Sequence, residues 1–245
     1  FKYLRGLLML TTPNMLADVY YVFQPMFGRD GNIVAVECLT RLTDAPLPME
    51  EFFRQISVTL RSQILLQQIS LVEKHRSWFH QNDIIATVNV DESTLQILTD
   101  DAIIQWVRKI GCLHFEMNEF SESLVKSGSI INTLNKEYSL WMDDFGAGYA
   151  GFMALENNSF QNIKISKNLL WNLSAQNGGQ DLMCALLNYF HVNNYKVVIE
   201  GVETLHYVSW LKDMPWFALQ GYLWPEKRID ELITTPQRVK TEITL

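Results

Sequence analysis

Short apolar runs that each end in a polar group recur along this chain. They are Val-Ala-Val-Glu37, Thr-Val-Asn89, Leu-His-Phe-Glu116, Leu-Trp-Met-Asp143-Asp144, Asn-Ile-Lys164, Val-Val-Ile-Glu200 and Phe-Ala-Leu-Gln220. Runs of this length and composition read as β-strands. A closed parallel barrel gathers side chains from distant parts of a sequence at the C-terminal ends of its strands, which is where its chemistry sits. Seven strand ends that carry ligand or proton-transfer groups therefore point to one shared site.

The intervening pattern supports that architecture. Asp18 to Phe27 and Ile33 to Arg41 are strand-like and flank Gly28-Arg29-Asp30-Gly31-Asn32, a turn composition that predicts an antiparallel hairpin. Apolar residues at helical spacing between Met49 and Gln81 predict two consecutive helices. Strands and helices then alternate: strand Ile84 to Val90, helix Ile97 to Ile110, strand Leu113 to Met117, a short helical return, strand Ser139 to Asp143, helix Tyr149 to Glu156, strand Asn162 to Ile165. Helix Gln180 to Val192, strand Lys196 to Ile199, helix Leu205 to Lys212 and strand Phe217 to Gln220 follow, and Asn172 to Gln180 reads as a surface loop or frayed helix end. Alternation of this kind implies an α/β fold with a mostly parallel sheet.

Length sharpens the reading, since 245 residues is close to the roughly 250 of one eight-stranded barrel and favours a single domain over residues 1–245. A formal charge of -7 offers no basic footprint for duplex nucleic acid, although carboxylates holding divalent cations would locally reverse the field that a phosphate meets. Cys38, Cys112 and Cys184 form no CxxC pair, which argues against a zinc site or disulfide framework and suits a reducing, cytoplasmic setting. Lys2, Arg5 and Gly6-Leu7-Leu8-Met9-Leu10 faintly resemble a signal peptide, but the apolar stretch is too short and no cleavage site follows. No run approaches the ~20 apolar residues that span a bilayer.

Gly146-Ala147-Gly148-Tyr149-Ala150-Gly151 matches G-x-G-x-x-G literally, yet two aspartates precede it and Lys164, rather than an acid, lies about twenty residues on. Those charges would repel a pyrophosphate. The glycines are better read as a sharp backbone turn beneath an acidic site.

Taken in order, Glu37-Cys38-Leu39-Thr40-Arg41, Asp143-Asp144-Phe145-Gly146-Ala147-Gly148, Lys164-Ile165, Glu200-Gly201-Val202-Glu203-Thr204 and Gln220-Gly221-Tyr222 resemble the successive motifs of EAL domains, the bacterial cyclic-di-GMP phosphodiesterases. The resemblance runs from Phe23 to about Leu232. It implies a modified TIM (β/α)8 barrel with one antiparallel strand near the start, in keeping with the predicted hairpin. It also implies hydrolysis of cyclic-di-GMP to linear pGpG, which controls motility and biofilm, with two divalent cations, Mg²⁺ or Mn²⁺, and inhibition by Ca²⁺. Carried over residue by residue, the metal ligands are Glu37, Asn89, Glu116, Asp143 and Asp144. Lys164, Glu200 and Gln220 position or deprotonate the attacking water, while Arg41, Leu39 and Gln24 meet the substrate. Glu119 anchors the loop after Asp144, a loop that also belongs to the family's homodimer contact.

Taken singly, a strand-end acid is more often a helix cap than a ligand. Lys164 alone suggests an ion pair with Asp143 or Glu200, and Arg41 alone fits a salt bridge as well as a ligand contact. Cys38 reads as a small buried residue, and the five histidines lack the mutual spacing for chemistry. The chain departs from the family pattern at Asn118, Ala147, Ser166 and Pro225, the last leaving Lys227 near the usual proline position. It also resembles the stand-alone enterobacterial members, some of which have lost turnover and bind the flagellar master regulator. Three readings therefore stand: a phosphodiesterase, a protein-binding regulator, and a receptor that binds cyclic-di-GMP without cleaving it.

Overall fold

In a computed structural model, residues 18–43, 48–124, 130–148 and 151–235 are described. The segment Phe1 to Leu10, with its basic residues and short apolar run, lies outside them, as do Tyr149 and Ala150. Eight strands close into a barrel in chain order: β1 (Val19–Gly28), β2 (Ile33–Leu42), β3 (Ile85–Val90), β4 (Leu113–Asn118), β5 (Leu140–Phe145), β6 (Asn162–Ile165), β7 (Lys196–Ile199) and β8 (Ala218–Leu219). Only β1 is antiparallel to its neighbours β2 and β8; all pairs from β2 to β8 are parallel.

Two-residue alternation decides which side chains face the barrel axis. Val36, Cys38, Ala86, Val88, Phe115, Met142, Ile163, Ile165, Val197, Ile199 and Leu219 point outward into one continuous core shared with the helices. Their neighbours of opposite parity point inward. Met26, Ala35, Trp141, Val198 and Ala218 fill the lower interior as a separate apolar plug, and the Trp141 indole N–H donates to Nδ1 of His114 at 2.8 Å. Along each strand from that plug, the same parity brings Gln24, Glu37, Asn89, Glu116, Asp143, Lys164, Glu200 and Gln220 to the open end. Cys38 is thus explained by packing, because it belongs to the outward set.

The helices depart from expectation in four places. The stretch Met49 to Gln81 forms three helices, α1 (Met49–Gln55), α2 (Val58–Lys74) and α3 (Arg76–Gln81), because Ser57 caps α2 by accepting from the Leu60 N–H and His75 interrupts it at the other end. The predicted helix from Ile97 splits into a 3₁₀ turn, Ile97–Thr99, and α4 (Asp101–Ile110), since the Asp100 carboxylate accepts from the Ala102 N–H and starts a new helix. A short α5 (Ile130–Leu134) precedes β5 and α6 (Gly151–Asn157) follows it. The residues after β6 form α7 (Lys167–Ser174), capped by the Ser166 hydroxyl on the Leu169 N–H, so that of the expected loop or frayed end Asn172 to Gln180 the first three residues are the last turn of this helix and the loop spans only residues 175–178. Next come α8 (Gly179–Val192), α9 (Leu205–Trp210) and α10 (Ile229–Thr234), the last not anticipated from the sequence. Among the described residues no helix is long and apolar enough to cross a membrane.

Candidate active site

Lys164 stands at the centre of the barrel mouth. It is fully buried, and its ammonium lies 2.7 Å from Glu116, 2.8 Å from Glu200, 2.9 Å from Glu37 and 3.0 Å from Asp143. Asn89 and Gln220 donate side-chain amide N–H groups to the two oxygens of Glu37 at 2.6 and 2.8 Å, and Gln220 also reaches Gln24 at 3.3 Å. All eight strands, or the residues that directly follow them, thus supply one connected polar network around one ammonium.

Asp144 breaks the parity rule, because a residue directly after the inward Asp143 should point outward. The β5–β6 register slips between Met142 and Phe145, and Asp144 takes φ 60°, a left-handed conformation uncommon for a non-glycine residue. Both aspartates consequently reach the mouth. The turn that follows needs glycine at Gly146, where φ is 89° and a Cβ would come within 2.5 Å of Leu169. Glu119, buried beneath it, accepts the backbone N–H groups of Gly146 at 3.0 Å, Gly148 at 2.6 Å and Gly151 at 2.5 Å, while its own N–H donates to the Asp143 carbonyl. Asn118, one of the departures from the family pattern, touches the site directly: its amide donates to Asp144 at 2.6 Å and its oxygen accepts the Phe120 N–H at 2.9 Å.

The balance of charge is uneven, with Glu37, Glu116, Asp143, Asp144 and Glu200 set against one lysine. Burial and the negative neighbour Glu37 hold Glu116 well above the usual carboxylate range. Burial likewise pushes Asp143 up to about 6 and Glu200 up to about 8, in both cases against the pull of Lys164. For Glu37, burial is outweighed by Lys164 and the amides of Gln220 and Asn89, so its carboxyl sits below the ordinary value. Burial works against the Lys164 charge, but Asp143, Glu116, Glu200 and Glu37 together hold it firmly protonated.

This donor set suits hard divalent cations, which prefer carboxylate and amide oxygens. Glu116 Oε1 and Gln220 Oε1 are buried without a hydrogen-bond partner, and the excess negative charge needs more cation than Lys164 provides. Among the described residues no three acidic, histidine or cysteine side chains already form a closed ion cage, and the Lys164 ammonium lies within 3.0 Å of four of the carboxylates. The residues fit the ions by charge and chemistry, with the ammonium as the group that shares the carboxylates.

A cleft of about 410 Å³ opens over the network and is lined by Gln24, Glu37, Leu39, Asp143, Asp144, Glu200 and Gln220, all singled out from the sequence. Glu203 and Tyr222, which lie in the quoted motifs without an assigned role, also line it, as do Glu50, Phe120 and Lys167, which the sequence did not single out. Phe120 and Tyr222 are exposed aromatics on loops; Tyr222 closes the Gln220-Gly221-Tyr222 motif, but the motif by itself assigns it no contact, and no pattern marks Phe120. Arg41 lies apart from this cleft, on an adjoining one of about 420 Å³ that shares Leu39 and Glu50. Its guanidinium is already bound, through Nε at 2.9 Å and through Nη2, to the carboxylate of Glu226. Glu226 follows Pro225, and Lys227 beside it donates its backbone N–H to the Phe23 carbonyl at 2.9 Å, a bond that a proline there would forbid.

Comparison with known proteins agrees with this geometry. The family model described as EAL domain matches residues 15–226. The chain is 31% identical over 208 residues to the cyclic di-GMP phosphodiesterase PdeH of Escherichia coli K12, covering 82% of this chain and 81% of that protein. It is 22% identical over 223 residues to the anti-FlhC(2)FlhD(4) factor YdiV of Salmonella typhimurium LT2, covering 88% and 94%. Among solved structures, the EAL-like domain protein YdiV superposes with a TM-score of 0.80 at 19% identity over 91% of this chain and 97% of the other. The PaMucR phosphodiesterase in complex with c-di-GMP superposes at 0.69 and 19% identity over 89% and 95%. With five strand-end motifs converging on one barrel mouth and the family model spanning nearly all of it, this chain belongs to the EAL-domain family.

Proposed function

We propose that the protein is a metal-dependent phosphodiesterase that opens cyclic-di-GMP to linear pGpG, acting in the cytoplasm to lower the messenger that governs motility and biofilm. The observation that carries this reading is the convergence of Glu37, Asn89, Glu116, Asp143, Asp144 and Glu200 around Lys164 beneath an open cleft. EAL phosphodiesterases depend in general on divalent metal ions, and the relative PdeH is named for this activity. Glu37, Asn89, Glu116 and Asp143 would hold one ion; Asp143, Asp144 and Glu200 would hold the second. When bound, Mg²⁺ or Mn²⁺ supplies charge neutralisation for the phosphoryl group and lowers the pKa of a coordinated water.

The chain's own groups divide the remaining work. Lys164 stays an ammonium among its carboxylates, so it orients them and offsets charge rather than accepting a proton. Glu200 is the most accessible of its four partners and lies on the cleft wall, which places it to take the proton of an attacking water. Gln220 spans Glu37 and Gln24 and fixes the floor on which the phosphodiester rests. Its successor Gly221 is required by close approach, as a Cβ there would lie 2.2 Å from the Val202 carbonyl oxygen.

The test is hydrolysis of cyclic-di-GMP by purified protein with Mg²⁺ or Mn²⁺, following pGpG, with Glu37→Ala as the blank. Turnover that disappears in the variant supports the reading, and turnover that persists defeats the site assignment. Ca²⁺ in place of Mg²⁺ is expected to stop the reaction while allowing the nucleotide to bind. Two observations favour a second reading, a catalytically silent regulator that binds a flagellar regulator or another protein partner: Lys164 sits where an ion would share ligands, and the relative YdiV, an anti-FlhC(2)FlhD(4) factor, matches over 94% of its length. Folded, metal-supplied protein that leaves cyclic-di-GMP intact would favour that reading. Homodimerisation through the loop after Asp144 is a further part of the proposal, read out by sedimentation.

A further inference from the structure

Arg41 lies on the inward-facing parity of β2, two turns of the pleat beyond Glu37, and so belongs to the rim of the mouth. Its Nε–Nη2 edge is filled by the two oxygens of Glu226, and Nη1 donates to the Thr40 carbonyl at 2.9 Å. The side chains of both partners are less than a third exposed. Glu226 is held firmly in this position. Phe23 and Lys227 exchange backbone hydrogen bonds of 2.7 and 2.9 Å, the Trp224 ring packs against Phe27 at 5.0 Å, and the Arg228 guanidinium lies 4.2 Å over the Tyr20 ring. Tyr20 is the cross-strand partner of Arg41. The segment carrying Glu226 is therefore fastened along β1 on both sides of that residue.

The same rim is short of free positive charge. Arg61, which lines the cleft with Arg41, is tied to Asp91 at 2.6 Å. The neighbouring cleft carries Glu37, Glu50, Asp143, Asp144, Glu200 and Glu203 against one basic lining residue, Lys167. A carboxylate in a bidentate pair makes the same two contacts that a phosphodiester would make on a guanidinium. Resting on the phosphodiesterase reading above, we propose that Glu226 is an affinity-determining residue, a built-in anion that competes with the substrate phosphate for Arg41 and sets the concentration at which cyclic-di-GMP binds.

The charge and the geometry of Glu226 separate in Glu226→Gln, which keeps an oxygen for the Arg41 fork and removes the charge. Cyclic-di-GMP binding is measured by calorimetry on the Ca²⁺-loaded protein, and turnover with Mg²⁺, for the parent, Glu226→Gln and Arg41→Ala. The expected result for Glu226→Gln is a Kd and KM lower by about two- to fivefold, the range that a partly exposed ion pair spans. Its kcat is expected to stay unchanged, and its affinity to fall more steeply with added salt, because a freed guanidinium makes an additional screened contact. Arg41→Ala is expected to weaken binding. Equal or weaker binding by Glu226→Gln overturns the proposal and leaves the functional reading intact. Unaltered binding by Arg41→Ala overturns it too, since there is then nothing for Glu226 to compete over. Should the parent fail to bind cyclic-di-GMP, binding gained by Glu226→Gln supports the competition, while silence in both proteins overturns the proposal and the reading together.

Discussion

Replacing Lys164 with methionine isolates the role of the central ammonium. The side chain is fully buried, methionine roughly matches its length and apolar stem, and the change leaves Glu37, Glu116, Asp143 and Glu200 facing one another with no counter-charge. Removing one partner from a buried charge pair costs about 3–5 kcal/mol. For a domain of 150–250 residues each kcal/mol shifts Tm by about 2–4 °C, so the chelated variant should melt about 6–20 °C below the parent. The deficit should widen as pH rises from about 6 to about 8. Asp143 and Glu200 titrate there even with Lys164 present, and protonated carboxyls repel less. Mg²⁺ or Mn²⁺ should recover the variant by more degrees than it stabilises the parent, since the ion then replaces the missing cation among the same oxygens. Differential scanning fluorimetry with chelator and with each ion reads all three effects. A chelated variant melting within about 2 °C of the parent, against the expected deficit of about 6 °C or more, about 3 kcal/mol at about 2 °C per kcal/mol, would refute the view that this ammonium balances the buried carboxylates. So would metal that stabilises the parent more than the variant.

Other outcomes follow from the same geometry. Glu119→Gln removes one of the acceptor oxygens that receive Gly146, Gly148 and Gly151, so stability should fall by about 1.5–3 kcal/mol in urea unfolding and turnover should fall with it; unchanged kinetics would detach the loop from catalysis. Asn118→Ala frees Asp144, and because a misplacement of about 1 Å can cost up to about a hundredfold, turnover should drop about ten- to a hundredfold with little change in Tm. Full activity in that variant would show that Asp144 is held by its backbone alone. His114 is neutral in the fold, its pKa lowered to about 4 by burial and then by Lys196, against about 6.5 when unfolded. The unfolded chain binds the extra proton first, so this stabilisation is complete above about pH 6.5 and is lost as pH falls towards 4. His114→Gln should accordingly flatten the acid limb of the Tm profile between those values, and an unaltered limb would contradict the assignment.

The order of strands, the antiparallel start and the strand-end residues were legible along the chain because each depends on local information: alternation with period two, turn composition after Phe27, and a polar residue closing an apolar run. Helix α7 was not legible, since the cue for its start is a single Ser166 hydroxyl on the Leu169 N–H. Phe120 and Tyr222 were missed because an exposed loop aromatic looks the same whether it borders a cleft or bulk water.

What the sequence determined by itself is which groups meet at the mouth, because strand parity sends Glu37, Asn89, Glu116, Asp143, Lys164, Glu200 and Gln220 to one face once the barrel closes. Tertiary structure alone decided how those groups are paired. That Lys164 is shared by four carboxylates, that a register slip turns Asp144 inward, and that Arg41 is engaged by a residue 185 positions away all depend on distances between strands far apart in the chain. Ion pairing is set by separations of a few ångströms and by the surrounding dielectric, and neither is defined until the chain has folded.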